Sequence, residues 1–137
     1  MWWIYALLSA LFAALTAIFA KIGIKHVNTD LATAIRTVVI LILAWSIAYF
    51  RGGINTIQSL TKQNYIFIIL SGIATGLSWI FYFKALQLGK VSQVAPVDKL
   101  SVAIAIIFSV LFLGEVLTWK MALGATLIIS GTIVLIL

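Results

Sequence analysis

SQVAPVDKLSVAIAIIFSVLFLGE, Ser92 to Glu115, is the stretch whose reading decides the fold. It is long enough to cross a bilayer as a helix, which takes about 20 mostly apolar residues. Two unlike charges, Asp98 and Lys99, sit roughly two turns inside it at about 1.5 Å of rise per residue. An ionised group at that depth is costly unless it faces a partner or water. Pro96 has no amide hydrogen, so the backbone ladder is incomplete near the start; lipid does not tolerate that, whereas a protein-lined cavity does. The remaining segments are predicted to form the wall around this helix.

A chain that is 64% apolar and 9% charged has too little polar surface to cover a soluble domain of its size. It reads as an all-α integral membrane protein. The predicted spans are Trp2 to Ile22, Leu31 to Phe50, Asn64 to Leu86, Ser92 to Leu113 and Trp119 to Leu137. Short joints leave no room for a soluble part, so residues 1–137 are expected to form a single five-helix transmembrane domain. The first segment lacks a charged start and a small-residue cleavage site, and reads as a retained helix.

The net charge of +6 does not point to nucleic acid. Lys21, Lys25, Arg51, Lys62, Lys84, Lys90 and Lys120 are scattered singly at helix ends, the pattern of membrane flanking. With no cysteine, one histidine and three separated acids, neither a metal cage nor a hydrolytic triad can be assembled. No cofactor and no enzyme activity are therefore expected.

Trp2, Trp3 and Tyr5, then Trp45, Tyr49 and Phe50, then Tyr65 and Trp119, fall on one side of the membrane as an aromatic belt. Trp79, Tyr82 and Phe83 approach the other interface. In helix one, Ser9, Ala13, Thr16 and Ala20 share a small-residue face suited to close packing. Asn28, Thr29 or Asp30 can cap helix two, and His26 reads as an interfacial residue in the preceding turn. Arg36 lies about 8 or 9 Å into helix two. Its guanidinium either faces a cavity, where a pair with Asp98 would relieve both desolvation costs, or snorkels to the headgroups.

RGGINTIQSLTKQN reads as the longest polar joint, with Gly52 and Gly53 ending helix two. Helix three carries a hydroxyl stripe of Ser71, Thr75, Ser78 and Tyr82, either interhelical glue or a cavity lining that ends on Trp79. Gly72 and Gly76 form a small face beside it. Helix four repeats the pattern with Asp98, Ser101, Ala105 and Ser109. Lys99, about 100° round from Asp98 on an ideal helix, is expected to snorkel, and Glu115 to tie the amides of the next turn. Gly124 and Gly131 share a face of helix five that suits a helix–helix contact between subunits.

The order SGIATGLSWIFYFKAL, LGKVSQVAPV, FLGE and KMALGATLIISGTIVL resembles the EamA-type domain of the drug/metabolite transporter superfamily over essentially the whole chain, most specifically Tyr82 to Gly131. The resemblance implies a transporter or exporter of a small metabolite in a cell membrane, multi-pass and of prokaryotic type. Members usually hold two such repeats, inverted around a central cavity; here there is one. A lone copy needs an inverted partner, so the resemblance implies a homodimer in contact with membrane lipid. The cations allow this without compelling it: Arg51, Lys62, Lys120 and the terminal amine on one side balance Lys21, Lys25, Lys84 and Lys90 on the other, leaving little orienting bias, whereas Arg36 and Lys99, if both snorkel to the second side, lean it toward an extracytoplasmic amino terminus. Arg36, Ser71, Thr75, Ser78, Trp79, Tyr82, Asp98 and Ser101 are the expected substrate-binding residues, and Gly72, Gly76, Gly124 and Gly131 the packing and dimer residues. The related small multidrug transporters use a glutamate in the first helix as proton and drug site; helix one here has no acid, so the resemblance does not carry that route over, and Asp98 is the candidate to replace it as proton carrier. A lipid-linked intermediate flippase and a non-transporting subunit of a hetero-oligomer are the alternative readings.

Overall fold

A computed structural model describes residues 1–137, and every regular element in it is helical. The order is α1 (Trp2–Gly23), α2 (Thr29–Phe50), a 3-10 helix (Gly53–Ser59), α3 (Lys62–Leu88), α4 (Val91–Asp98), α5 (Leu100–Leu113) and α6 (Trp119–Ile136). With α4 and α5 taken as one crossing, Val91–Leu113, five helices are long and apolar enough to span a membrane.

Capping chemistry sets most boundaries. Asn28 caps α2, its Oδ1 accepting from the amides of Asp30 at 2.8 Å and Leu31 at 3.1 Å, and Asp30 complements the helix dipole in the first turn. Thr118 caps α6 by accepting from the Met121 amide. Gly114 ends α5 at φ 69°, in the left-handed region that glycine enters without a Cβ clash. The Glu115 amide then donates back to the Ser109 carbonyl at 3.3 Å.

Two segments depart from the sequence reading. The fourth crossing is two helices, not one. Pro96 has no N–H for the Ser92 carbonyl, and the turn behind it tightens: the Lys99 amide is shared between the carbonyls of Ala95 at 3.3 Å and Pro96 at 3.1 Å, and the Val102 amide reaches Lys99 at 3.0 Å. Such shortened bonds accompany a kink at proline. The expected polar joint after α2 folds instead into the 3-10 helix. Gly52 turns the chain at φ 70°, and Gly53 lies so close to α2 that a Cβ there would stand 3.4 Å from the Ala48 carbonyl oxygen. Ile54 and Ile57 then line an apolar cleft with Ala44, Trp45 and Ala48.

The chain divides into two compact units. One contains Met1–Ile18 with Leu88–Leu137, the other Phe19–Gln87. In the first, α6 packs along both α4 and α5. Thr132, 3% exposed, fixes that packing: its hydroxyl donates to Ile128 one turn back at 2.8 Å and lies 3.2 Å from the Pro96 carbonyl at the break. Ala17, rather than the Ser9, Ala13, Thr16 and Ala20 stripe, is the buried residue of α1.

The second unit is tied at one end. Gln87 Nε2 donates to the carbonyls of Ile24 at 3.3 Å and Val27 at 2.9 Å, and the Lys21 ammonium donates to the Leu86 carbonyl. These bonds join the turn between α1 and α2 to the last turns of α3. Ile24, Thr29, Thr33, Phe83 and Leu86 are the buried residues of this end. His26 makes the turn at φ 67°, a conformation that non-glycine residues seldom adopt.

Candidate functional site

Arg36 lies near the middle of the first half of α2, half-buried. Its guanidinium carbon stands 4.7 Å from the centroid of the Trp79 ring and 4.7 Å from that of Phe83. Trp79 and Phe83 are four residues apart on α3, so both rings occupy one helical face. Attraction between a cation and a ring quadrupole is worth about 0.5–2 kcal/mol, more where water is scarce. The guanidinium therefore lies over aromatic rings within its own unit. Tyr82, half-buried, stands next along α3, its ring 5.9 Å from that of Phe83.

Phe83 did not stand out in the sequence, where it reads as one more interfacial aromatic. It is 1% exposed and supplies the second ring against Arg36. Its spacing from Trp79, one helical turn, was the available signal.

Ser71, Thr75 and Ser78 are exposed along α3. The Thr75 hydroxyl donates to the Ser71 carbonyl at 2.9 Å. Its proton is used inside the helix, and its oxygen remains available as an acceptor.

In the other unit, Asp98 ends α4, and Ser101 is exposed at the start of α5. The Lys99 ammonium stands 3.7 Å from the Asp98 carboxylate, with the two side chains 58% and 37% exposed. The four-carbon stem of Lys99 is long and flexible enough to bring its ammonium back to the neighbouring carboxylate although successive residues leave the helix in different directions. Ion pairs this open contribute about 0–1 kcal/mol, so the lysine holds the carboxylate only loosely.

Gly72 and Gly76 on α3, and Gly124 and Gly131 on α6, share one property: a Cβ built on any of them would meet no atom within 4 Å.

Five helices long and apolar enough to cross a membrane make this a multi-pass membrane protein, one that keeps an arginine and a carboxylate within its apolar spans. The chain belongs to the EamA-like transporter family, which matches it over residues 1–137. It is similar to an uncharacterized transporter in the cobO 3' region of Sinorhizobium sp., with 48% identity over 98% of this chain and 95% of that one. An uncharacterized protein of Methanocaldococcus jannaschii is 30% identical over 96% of this chain and 93% of its own. The uncharacterized transporter YxxF of Bacillus subtilis is 26% identical over 93% of this chain but only 40% of its own length. No solved structure matches the chain.

Proposed function

We propose that residues 1–137 act as a single five-helix domain, one subunit of a secondary transporter that works as an inverted homodimer in a prokaryotic plasma membrane. It moves a small metabolite with an amino-acid-like headgroup by alternating access. The observation that carries this reading is the cation inside α2: Arg36 lies over the Trp79 and Phe83 rings rather than extending to a headgroup, and intramembrane charges of this kind mark substrate pathways. Arg36 and Asp98 set the charge met by the substrate. Ser71, Thr75, Ser78 and Ser101 supply hydrogen bonds, while Trp79 and Tyr82 stack on it. The open glycine faces support the dimer, because helices in lipid associate through small residues. The even flanking charge supports two orientations, and the family's inverted repeats make an antiparallel pair the simplest complete unit.

Asp98 carries the coupled proton in this scheme. Proteoliposomes with a trapped pH-sensitive dye, given an imposed pH gradient and amino acids one at a time, test it. Wild-type protein is expected to show amino-acid-dependent proton flux, and Asp98→Asn to fall to the level of protein-free vesicles. Unchanged coupling in Asp98→Asn would remove Asp98 from the mechanism.

A further inference from the structure

We propose that Arg36, against the aromatic face of α3, is an anion-binding site that takes a carboxylate or phosphate attached to an apolar or aromatic body. The inference rests on the transporter reading and narrows its substrate to one with an anionic group.

The case begins with the missing counter-ion. Asp30 is the sole carboxylate between Phe19 and Gln87, and it sits in the first turn of α2. Six positions from Arg36 on the same helix, it points about 120° away. The ion pair formed in the structure is that of Lys99 with Asp98. Arg36 is thus a cation in an apolar span, lying over rings that attract it without cancelling its charge. The same end of the unit carries Lys21, Lys25 and Lys84, so the surrounding potential is positive and attracts anions.

The chemistry of the side chain narrows the ligand further. Guanidinium presents its N–H donors at the edge of a plane, in a fork that matches the paired oxygens of a carboxylate or phosphate. Here two rings lie against the guanidinium, and no oxygen of the chain accepts a hydrogen bond from it, so the edge donors remain available. Trp79 is only half-buried; its remaining surface offers an apolar wall beside the charge. A cationic ligand meets only repulsion there, and a neutral one leaves the guanidinium edge unpaired. The anion can belong to a soluble metabolite or to a lipid headgroup.

Purified protein in neutral maltoside micelles, titrated with benzoate, phenyl phosphate, benzylammonium and benzyl alcohol, tests the site by calorimetry. Benzoate and phenyl phosphate are expected to bind wild-type protein, and benzylammonium and benzyl alcohol are not. Binding is expected to vanish in Arg36→Gln and to weaken in Arg36→Lys, whose compact ammonium keeps the charge but loses the fork. Arg36→Lys keeps the test decisive if Arg36→Gln fails to give a monodisperse protein. Phosphatidylglycerol added to the micelles separates the sources: competition with phenyl phosphate identifies a lipid phosphate as the occupant, and its absence identifies a soluble anion. The inference is overturned if neither anion nor phosphatidylglycerol binds, if benzylammonium or benzyl alcohol binds as well as the anions, or if both Arg36 variants bind like wild type. Binding in micelles requires no flux. Anion binding without transport in vesicles removes the transporter reading and leaves the site, whereas transport of a cation by a protein that ignores anions does the reverse.

Discussion

Phe83→Ala is expected to destabilise the folded protein by about 3 kcal/mol, while Phe81→Ala on the same helix changes stability by no more than about 0.5 kcal/mol. The two residues are chemically identical and differ in what surrounds them. Phe83 is 1% exposed, whereas Phe81 is 71% exposed and packs against nothing that its loss would leave empty. Lipid tails are as apolar as a protein core, so burial from water does not explain the difference. What Phe83→Ala removes is close packing, each atom contact small and the sum large, and with it one of the two rings against Arg36. The cavity left behind is not refilled, because Leu86, one turn on and 0% exposed, is held by the Lys21 bond to its carbonyl. Unfolding by dodecyl sulfate in mixed maltoside micelles, followed by circular dichroism, measures both variants. Equal losses in the two would show that the packing around Phe83 does not hold this unit together.

Two oppositely charged redesigns are expected to be inactive alone and active together. Gln58→Arg with Gln63→Arg adds cations beside Arg51 and Lys62, at positions that are exposed. Lys62→Gln with Lys120→Gln removes cations from the same side. Flanking cations remain on the cytoplasmic face during insertion, so the first pair fixes one orientation and the second pair the other. A homodimer built from opposed copies cannot form from either variant alone. Produced together, the two supply both orientations, and substrate-dependent proton flux is expected to return. Full activity in either variant alone would contradict an inverted homodimer.

Hydropathy and length located all five crossings, because a bilayer imposes the same requirement on every spanning helix. A cap among Asn28, Thr29 and Asp30 was also legible, as was the end of the fourth span at Leu113, but which of the three residues caps α2 was fixed only by the Asn28 bonds to the Asp30 and Leu31 amides. The break at Lys99 was not legible: Pro96 announced an incomplete ladder, but the tightening of the following turn depends on which carbonyls the Lys99 amide finds. The loop after α2 hid its 3-10 helix behind polar composition, although Ile54 and Ile57 stand three residues apart, the repeat that puts both on one side of such a helix. Arg36 could be placed in depth but not in direction, because its stem reaches either a headgroup or a neighbouring helix. Its lodging on Trp79 and Phe83 depends on how α2 meets α3. Gln87 and Thr132 escaped notice for a related reason: a single polar residue near a helix end reads as interfacial until its bonds to Val27 and Pro96 are seen.

The inverted homodimer is tested most directly by the orientation of the unmodified chain. Leu137 is fused in parallel to a phosphatase active only outside the cytoplasm and to a fluorescent protein that matures only within it. Comparable signal from both fusions is expected, since the flanking cations give little bias. Signal from one side alone would contradict an inverted homodimer and direct the search to a partner of opposite orientation.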